Sequence, residues 1–95
     1  MKALLIVTDS EAVPAFERAL ADRHEGFTVL PAVVGSGRSG VKAGDRVHPG
    51  GSSLIFTVVP EAELQAAIDT LRRARDEARV ASATRIWAFG ADEVA

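Results

Sequence analysis

Two segments of this chain are apolar on both of their alternate faces, and each is followed by a helical pattern. The first, from Ala3 to Thr8, reads Ala-Leu-Leu-Ile-Val-Thr, and the second, from Ser53 to Val59, reads Ser-Leu-Ile-Phe-Thr-Val-Val. Successive side chains of a strand point to opposite faces, so a strand with one wet face alternates apolar and polar residues. These two do not alternate. They are expected as interior strands of one sheet, with neither face left to water.

The helical patterns have recognisable boundaries. After the first run, Asp9 or Ser10 can accept from the unpaired N–H groups of a helix start. Val13, Phe16, Ala19 and Leu20 then recur at helical spacing, with Glu17, Arg18 and Asp22 facing away. Pro14 is tolerable only in the first turn, and the helix should stop near Glu25-Gly26, with Gly26 in the left-handed conformation. After the second run, Pro60 suits a helix start. Leu64, Ala67, Ile68, Leu71 and Ala74 form an apolar stripe opposite Glu63, Asp69, Arg72 and Arg73.

Two further strands are expected. Phe27 to Val34 is rich in β-branched and apolar residues, but Pro31 cannot donate to a ladder, which makes it an edge strand. Arg85 to Phe89 is a short strand ended by Gly90, followed by a frayed tail from Ala91. Gly35 to Gly51 holds six of the eight glycines and little apolar periodicity, and is expected as a long, mobile, weakly basic loop. The helices thus separate strands that can lie parallel at the sheet centre. The whole order is the ferredoxin-like βαββαβ arrangement, an α+β fold with a four-stranded antiparallel sheet and two helices on one face. The first and third strands are central, and Pro31 falls on an edge.

Ninety-five residues make one domain, 1–95, able to bury about two thirds of its unfolded surface. A net charge of −2 without a basic half argues against nucleic-acid or membrane partners. The absence of cysteine excludes a disulfide framework and a thiolate nucleophile. The opening apolar run is too short for a signal-peptide core or a membrane span, so a cytoplasmic location is expected. Both helices cover one sheet face, so the other, equally apolar, face should be covered by self-association.

No Ser-His-Asp order, paired carboxylate spacing or nucleophile turn is present, so an enzyme is not expected. Gly35-Ser36-Gly37-Arg38-Ser39-Gly40 can present backbone N–H groups and a guanidinium to an anion. It is neither a phosphate-binding Gly-Lys-Ser/Thr loop nor a dinucleotide fingerprint, and a plain connector has the same composition. Arg72, Arg73, Arg75, Arg79 and Arg85 read either as a solvated face interleaved with Asp69, Asp76 and Glu77 or as cations for a phosphate. His48 with Asp45 supplies two ligands, fewer than a zinc site needs.

Three stretches, taken in order, resemble PII signalling proteins. Gly26-Phe27-Thr28-Val29 running on to Val34-Gly35-Ser36-Gly37-Arg38 is similar to that family's second strand and its exit, Gly-Leu-Thr-Val followed by Gly-Phe-Gly-Arg. Val58-Val59-Pro60-Glu61 before an amphipathic helix is similar to Ile-Val-Val-Pro-Asp. Arg85-Ile86-Trp87-Ala88-Phe89 with Asp92-Glu93-Val94 is similar to the closing strand and its Glu-Glu-Val.

The resemblance implies a homotrimer with sheets lining its inside and adenine nucleotides bound in clefts between subunits. It implies no reaction on a metabolite. A T-loop, here about 36–51, would change conformation with this small-molecule effector and dock onto a target protein through residues such as Lys42, Arg46 and His48. Thr28, Gly35, Gly37 and Arg38 occupy the implied ligand positions. The departures are specific. Asp76 to Thr84 replaces the family's glycine- and lysine-rich phosphate loop, leaving Arg79 and Arg85 as substitute cations. Ser39 stands where the family has the Gln used for 2-oxoglutarate, and there is no tyrosine to modify. The expected function is that of a divergent PII-like regulatory protein binding a small anionic ligand. The alternative is a CutA-like trimer binding a divalent metal near His48, which shares the topology.

Overall fold

The computed structural model describes residues 1–37, 40–42 and 51–95. The described elements are β1 (Lys2–Asp9), α1 (Val13–Asp22), β2 (Thr28–Val33), β3 (Gly35–Gly37), β4 (Gly40–Lys42), β5 (Ser52–Val59), α2 (Leu64–Glu77) and β6 (Arg85–Gly90). Four strands form one sheet in the order β2-β5-β1-β6. The two doubly apolar runs are its central pair, as their composition requires, and the Pro31 strand is an edge. All neighbouring pairs are antiparallel. The four-stranded antiparallel sheet is as expected, with no parallel pair at its centre. The strands flanking each helix do run parallel, but an antiparallel strand lies between them.

The glycine-rich stretch also departs from a plain loop. There β3 pairs with β4 in a small separate ladder, Gly35 opposite Lys42 and Gly37 opposite Gly40. The expected loop over 43–50, with Arg46 and His48, lies outside the described residues, as do Arg38 and Ser39.

The helices cover the sheet face that carries Leu4, Ile6, Ile55 and Val59, all fully buried. Phe16 and Leu20 of α1 and Ala67, Leu71 and Ala74 of α2 complete this core. Burying a side chain the size of Phe16 or Leu71 contributes roughly 2–3 kcal/mol. The register sets Ile6 directly between Ile55 and Ile86, so three branched residues cross the sheet in one row. Thr57 shares this face because its hydroxyl donates to the Gly26 carbonyl at 2.6 Å, which avoids a buried unpaired group.

The helix ends use residues other than those expected. Neither Asp9 nor any other residue caps α1 through its side chain. A 3₁₀ turn over Ser10–Ala12 leads into the helix instead, and the Ser10 hydroxyl bonds the Ser53 hydroxyl at 2.7 Å. The helix closes at Asp22, and His24, not Gly26, takes the left-handed conformation with φ 60°. Arg79 plays the same part after α2, with φ 59°. On β2 the ladder is interrupted between Leu30 and Val33, where Pro31 and Ala32 (φ 55°) form an irregularity.

The second sheet face carries Leu5, Val7, Leu54, Phe56 and Val58, all partly buried, together with Leu30, Trp87 and Phe89. The last three are 50%, 58% and 47% exposed. An apolar surface therefore spans all four strands, with no helix over it among the described residues.

Candidate functional site

The antiparallel order brings four chain segments to one end of the sheet. There β1 and β2 finish, β5 and β6 begin, and α2 returns from the far end. Gly35 and Gly37 leave β2 at this end, and Arg79 and Arg85 arrive at it from α2 and into β6. Four of the expected ligand residues therefore share a region. Thr28 does not belong to it as closely. It pairs with Phe56, four residues along β5 from Ser52, and stands exposed on the edge strand. Arg38 lies outside the described residues. Lys42 ends β4, while Arg46 and His48 are outside the described residues.

Beneath this end lies a layer of hydroxyls that the sequence reading did not single out. Thr8 and Thr84 are 76 residues apart in sequence, and their Oγ1 atoms are 2.8 Å apart. Thr84 Oγ1 also donates to the Val80 carbonyl at 2.7 Å. Thr84 has one proton to give, so Thr8 donates to Thr84. Both are buried, and the pair ties the turn before β6 to the end of β1. Ser10 and Ser53 link the other side in the same way, and the Ser10 N–H donates to the Gly51 carbonyl at 3.0 Å. Gly51 has φ 64°, a conformation in which an L side chain is strained. The only signal of this layer in the sequence is that each apolar run changes to Thr or Ser at this end.

Two clefts differ in charge. Between α1 and α2 a groove of about 510 Å³ mixes Arg18, Arg23 and Arg73 with Asp22 and Glu77. Arg23 is already paired, 2.8 Å from Glu63 and 3.9 Å from Glu25. Beside β6, a cleft of about 280 Å³ is lined by Arg72, Arg75 and Arg85 against Ile68, Ile86 and Ala88, with no carboxylate in its lining. Arg85 donates through Nη1 to the Thr84 carbonyl at 3.1 Å, which holds its guanidinium near the start of β6. Among the described residues no group of three His, Asp or Glu side chains is placed to hold a metal, and no described helix is long and apolar enough to cross a membrane.

Comparison with solved structures returns the same architecture. CPII, a nitrogen regulatory PII-like protein from Thiomonas intermedia K12 bound to ADP, AMP and bicarbonate, aligns with a TM-score of 0.73 at 15% identity, over 93% of this chain and 82% of its own. The chain carries the PII-like fold. A second CPII structure, with ADP and bicarbonate, aligns at TM-score 0.72 and 17% identity over the same shares of both chains. A DUF3240 family protein from Shewanella baltica OS155 aligns at TM-score 0.76 and 14% identity, over 99% of this chain and 92% of its own. No protein-family model matches the sequence, and no curated protein does. The segment between α2 and β6 is the one whose sequence departs from the family pattern. There Arg79 is held left-handed and Thr84 is tied down by hydroxyl bonds, in the stretch that replaces the family's glycine- and lysine-rich phosphate loop.

Proposed function

We propose that this protein is a PII-like regulatory module that binds a small anionic ligand, an adenine nucleotide in the first instance, and catalyses no reaction. The observation that carries the reading is the alignment of nine-tenths of the chain with CPII proteins that hold ADP, AMP and bicarbonate. The chemistry of the loop-bearing end agrees with it. Glycine backbone at Gly35 and Gly37 allows close approach, and Arg79 and Arg85 supply guanidinium donors suited to planar or tetrahedral oxyanions. Arg38 belongs to the same proposal.

The unit that binds is a cytoplasmic homotrimer in this reading, its apolar sheet faces turned inward and its ligand clefts between subunits. Occupancy biases segment 36–51 between two conformations with different affinity for a target protein, through Lys42, Arg46 and His48. The shift is limited by the ligand's preference for one of them.

The test is a thermal-shift series with ADP, AMP and bicarbonate, singly and combined. A ligand at one hundred times its Kd stabilises the folded state by about 2.7 kcal/mol. An upward shift with a nucleotide that is lost in Arg38→Ala and in Arg85→Ala is expected. Hydrogen exchange across 36–51 should change with the same ligand. Saturating nucleotide without either response would defeat the reading.

A further inference from the structure

The cleft beside β6 carries an inference of its own, which does not rest on the nucleotide reading. On α2, Ile68, Arg72 and Arg75 follow one another at helical spacings of four and three, so they share the side of the helix that lines this cleft. Helical arginines are usually a solvated face. Three features set these apart.

The first is the local charge. Three guanidinium groups line one depression and no carboxylate does. The second is the state of their donors. Arg75 uses Nε on Asp76 Oδ1 at 3.0 Å, which leaves its terminal nitrogens, and Arg85 uses Nη1 on the Thr84 carbonyl. Arg72 has no hydrogen bond or ion pair among the described residues. A guanidinium has five N–H donors, so most of the donor capacity here is unspent.

The third is the strand edge. The Ala91 N–H donates to the Met1 carbonyl at 3.1 Å, which makes Met1 and Ala91 a hydrogen-bonded pair in the register of β1 with β6. Antiparallel ladders alternate such pairs with non-bonded ones. The bonded pairs are therefore Ala3 with Phe89, Leu5 with Trp87 and Val7 with Arg85, while Ile86 and Ala88 turn their N–H groups away from β1. With β6 at the sheet edge, no strand among the described residues meets those donors. Ile86 and Ala88 both line the cleft. The strand edge, with the outward N–H and C=O groups of Ile86 and Ala88, thus lines one side of the cleft and the α2 arginines line another, with Ile68 in the same lining.

We propose that this cleft is a binding site for a phosphoryl dianion, held by Arg72 and Arg75 with the outward amides of Ile86 and Ala88. Charge-assisted bonds from guanidinium forks and backbone amides are the donors such a group requires. The shared chemistry is the phosphoryl group, either as free phosphate or as the end of a small phosphoester.

Backbone amide NMR of the full chain tests it, titrating inorganic phosphate and, separately, ethyl phosphate at ionic strength held constant with chloride. Saturable downfield movement of the Ile86 and Ala88 amide protons is expected. Arg72→Gln with Arg75→Gln should weaken it by about a hundredfold, roughly tenfold for each lost charged donor group. Arg72 is exposed and Arg75 is half-buried with Asp76 as its only partner among the described residues, so the remaining spectrum should be unchanged. Tighter binding of ethyl phosphate than of inorganic phosphate would assign the site to phosphoesters, and the reverse order to free phosphate. A linear, non-saturating response overturns the proposal. So does a saturable one that survives the double substitution and is lost only in Arg38→Ala, since the anion then binds at the loop-bearing end.

Discussion

Arg79 occupies a backbone conformation that suits glycine, and replacing it with glycine should raise stability. Its φ is 59°, and it ends α2 through bonds from its own N–H to the Asp76 carbonyl at 3.1 Å and from the Val80 N–H to the Arg75 carbonyl at 3.2 Å. Left-handed geometry costs an L residue about 1–2 kcal/mol. Glycine escapes that cost but loses roughly 0.5–1 kcal/mol through the greater freedom of its unfolded chain. The net expectation for Arg79→Gly is a gain of about 0.5–1 kcal/mol. The side chain is exposed and makes no ion pair among the described residues, so its removal offsets little of this. In a domain of this length the gain corresponds to a rise in Tm of about 2–8 °C. Arg79→Ala is the control, because it deletes the guanidinium and keeps the strain, and its Tm should stay near that of the parent. Both are compared at one protein concentration, since association contributes to apparent stability. If the glycine variant melts no higher than the alanine variant, the strain argument is wrong. In the proposed nucleotide site, any loss of affinity should be equal in the two, because both lack the cation.

The hydroxyl pair beneath the loop-bearing end makes a second expectation. Thr84→Val should cost about 1–3 kcal/mol in urea unfolding, because Thr8 keeps a buried donor without an acceptor; adding Thr8→Val should recover part of that loss. An additive double variant would show that the pair does not act as a unit. If the open sheet face forms the contacts of the proposed trimer, Trp87→Glu should lower the molar mass seen by light scattering at micromolar concentration while leaving the far-ultraviolet circular dichroism unchanged. An unaltered molar mass would place the subunit contacts elsewhere.

How much of this was legible in the residues follows from which force decides each feature. Apolar pattern decided the sheet: Leu4, Ile6, Ile55 and Val59 are buried where periodicity put them, and the two runs without a polar face became the central strands. Pro31 marked an edge for the simple reason that it lacks a donor. Chain ends of helices were less legible. Ser10 has the chemistry of a cap but is taken by Ser53, 43 residues away, and no local rule anticipates a tertiary partner. His24 adopts the left-handed turn two residues before the glycine that would adopt it most cheaply, because the bond from the Glu25 N–H to the Leu20 carbonyl at 3.0 Å closes the helix there. The candidate site was legible as a set of residue types near one loop. The cleft beside β6 was not, because the outward amides of Ile86 and Ala88 depend on the ladder phase, which side-chain pattern does not encode.

The pairing of β6 with β1 has a consequence for how the chain acquires its structure. β1 lies in the middle of the sheet, yet one of its two neighbours is the last strand, so Leu4 meets Ala88 and Ile6 meets Ile86 across some of the longest sequence separations the chain allows. Contacts of that range form slowly and require the intervening chain to be closed first. During synthesis, β1 can pair with β5 while one of its edges stays bare until Arg85 to Gly90 have emerged. The residues bare along that edge are apolar on both faces, the kind of segment that invites pairing with another nascent copy. The closing strand thus also ends the interval in which this protein is most open to aggregation, and the Thr8–Thr84 bond is the latch that becomes available at the same moment.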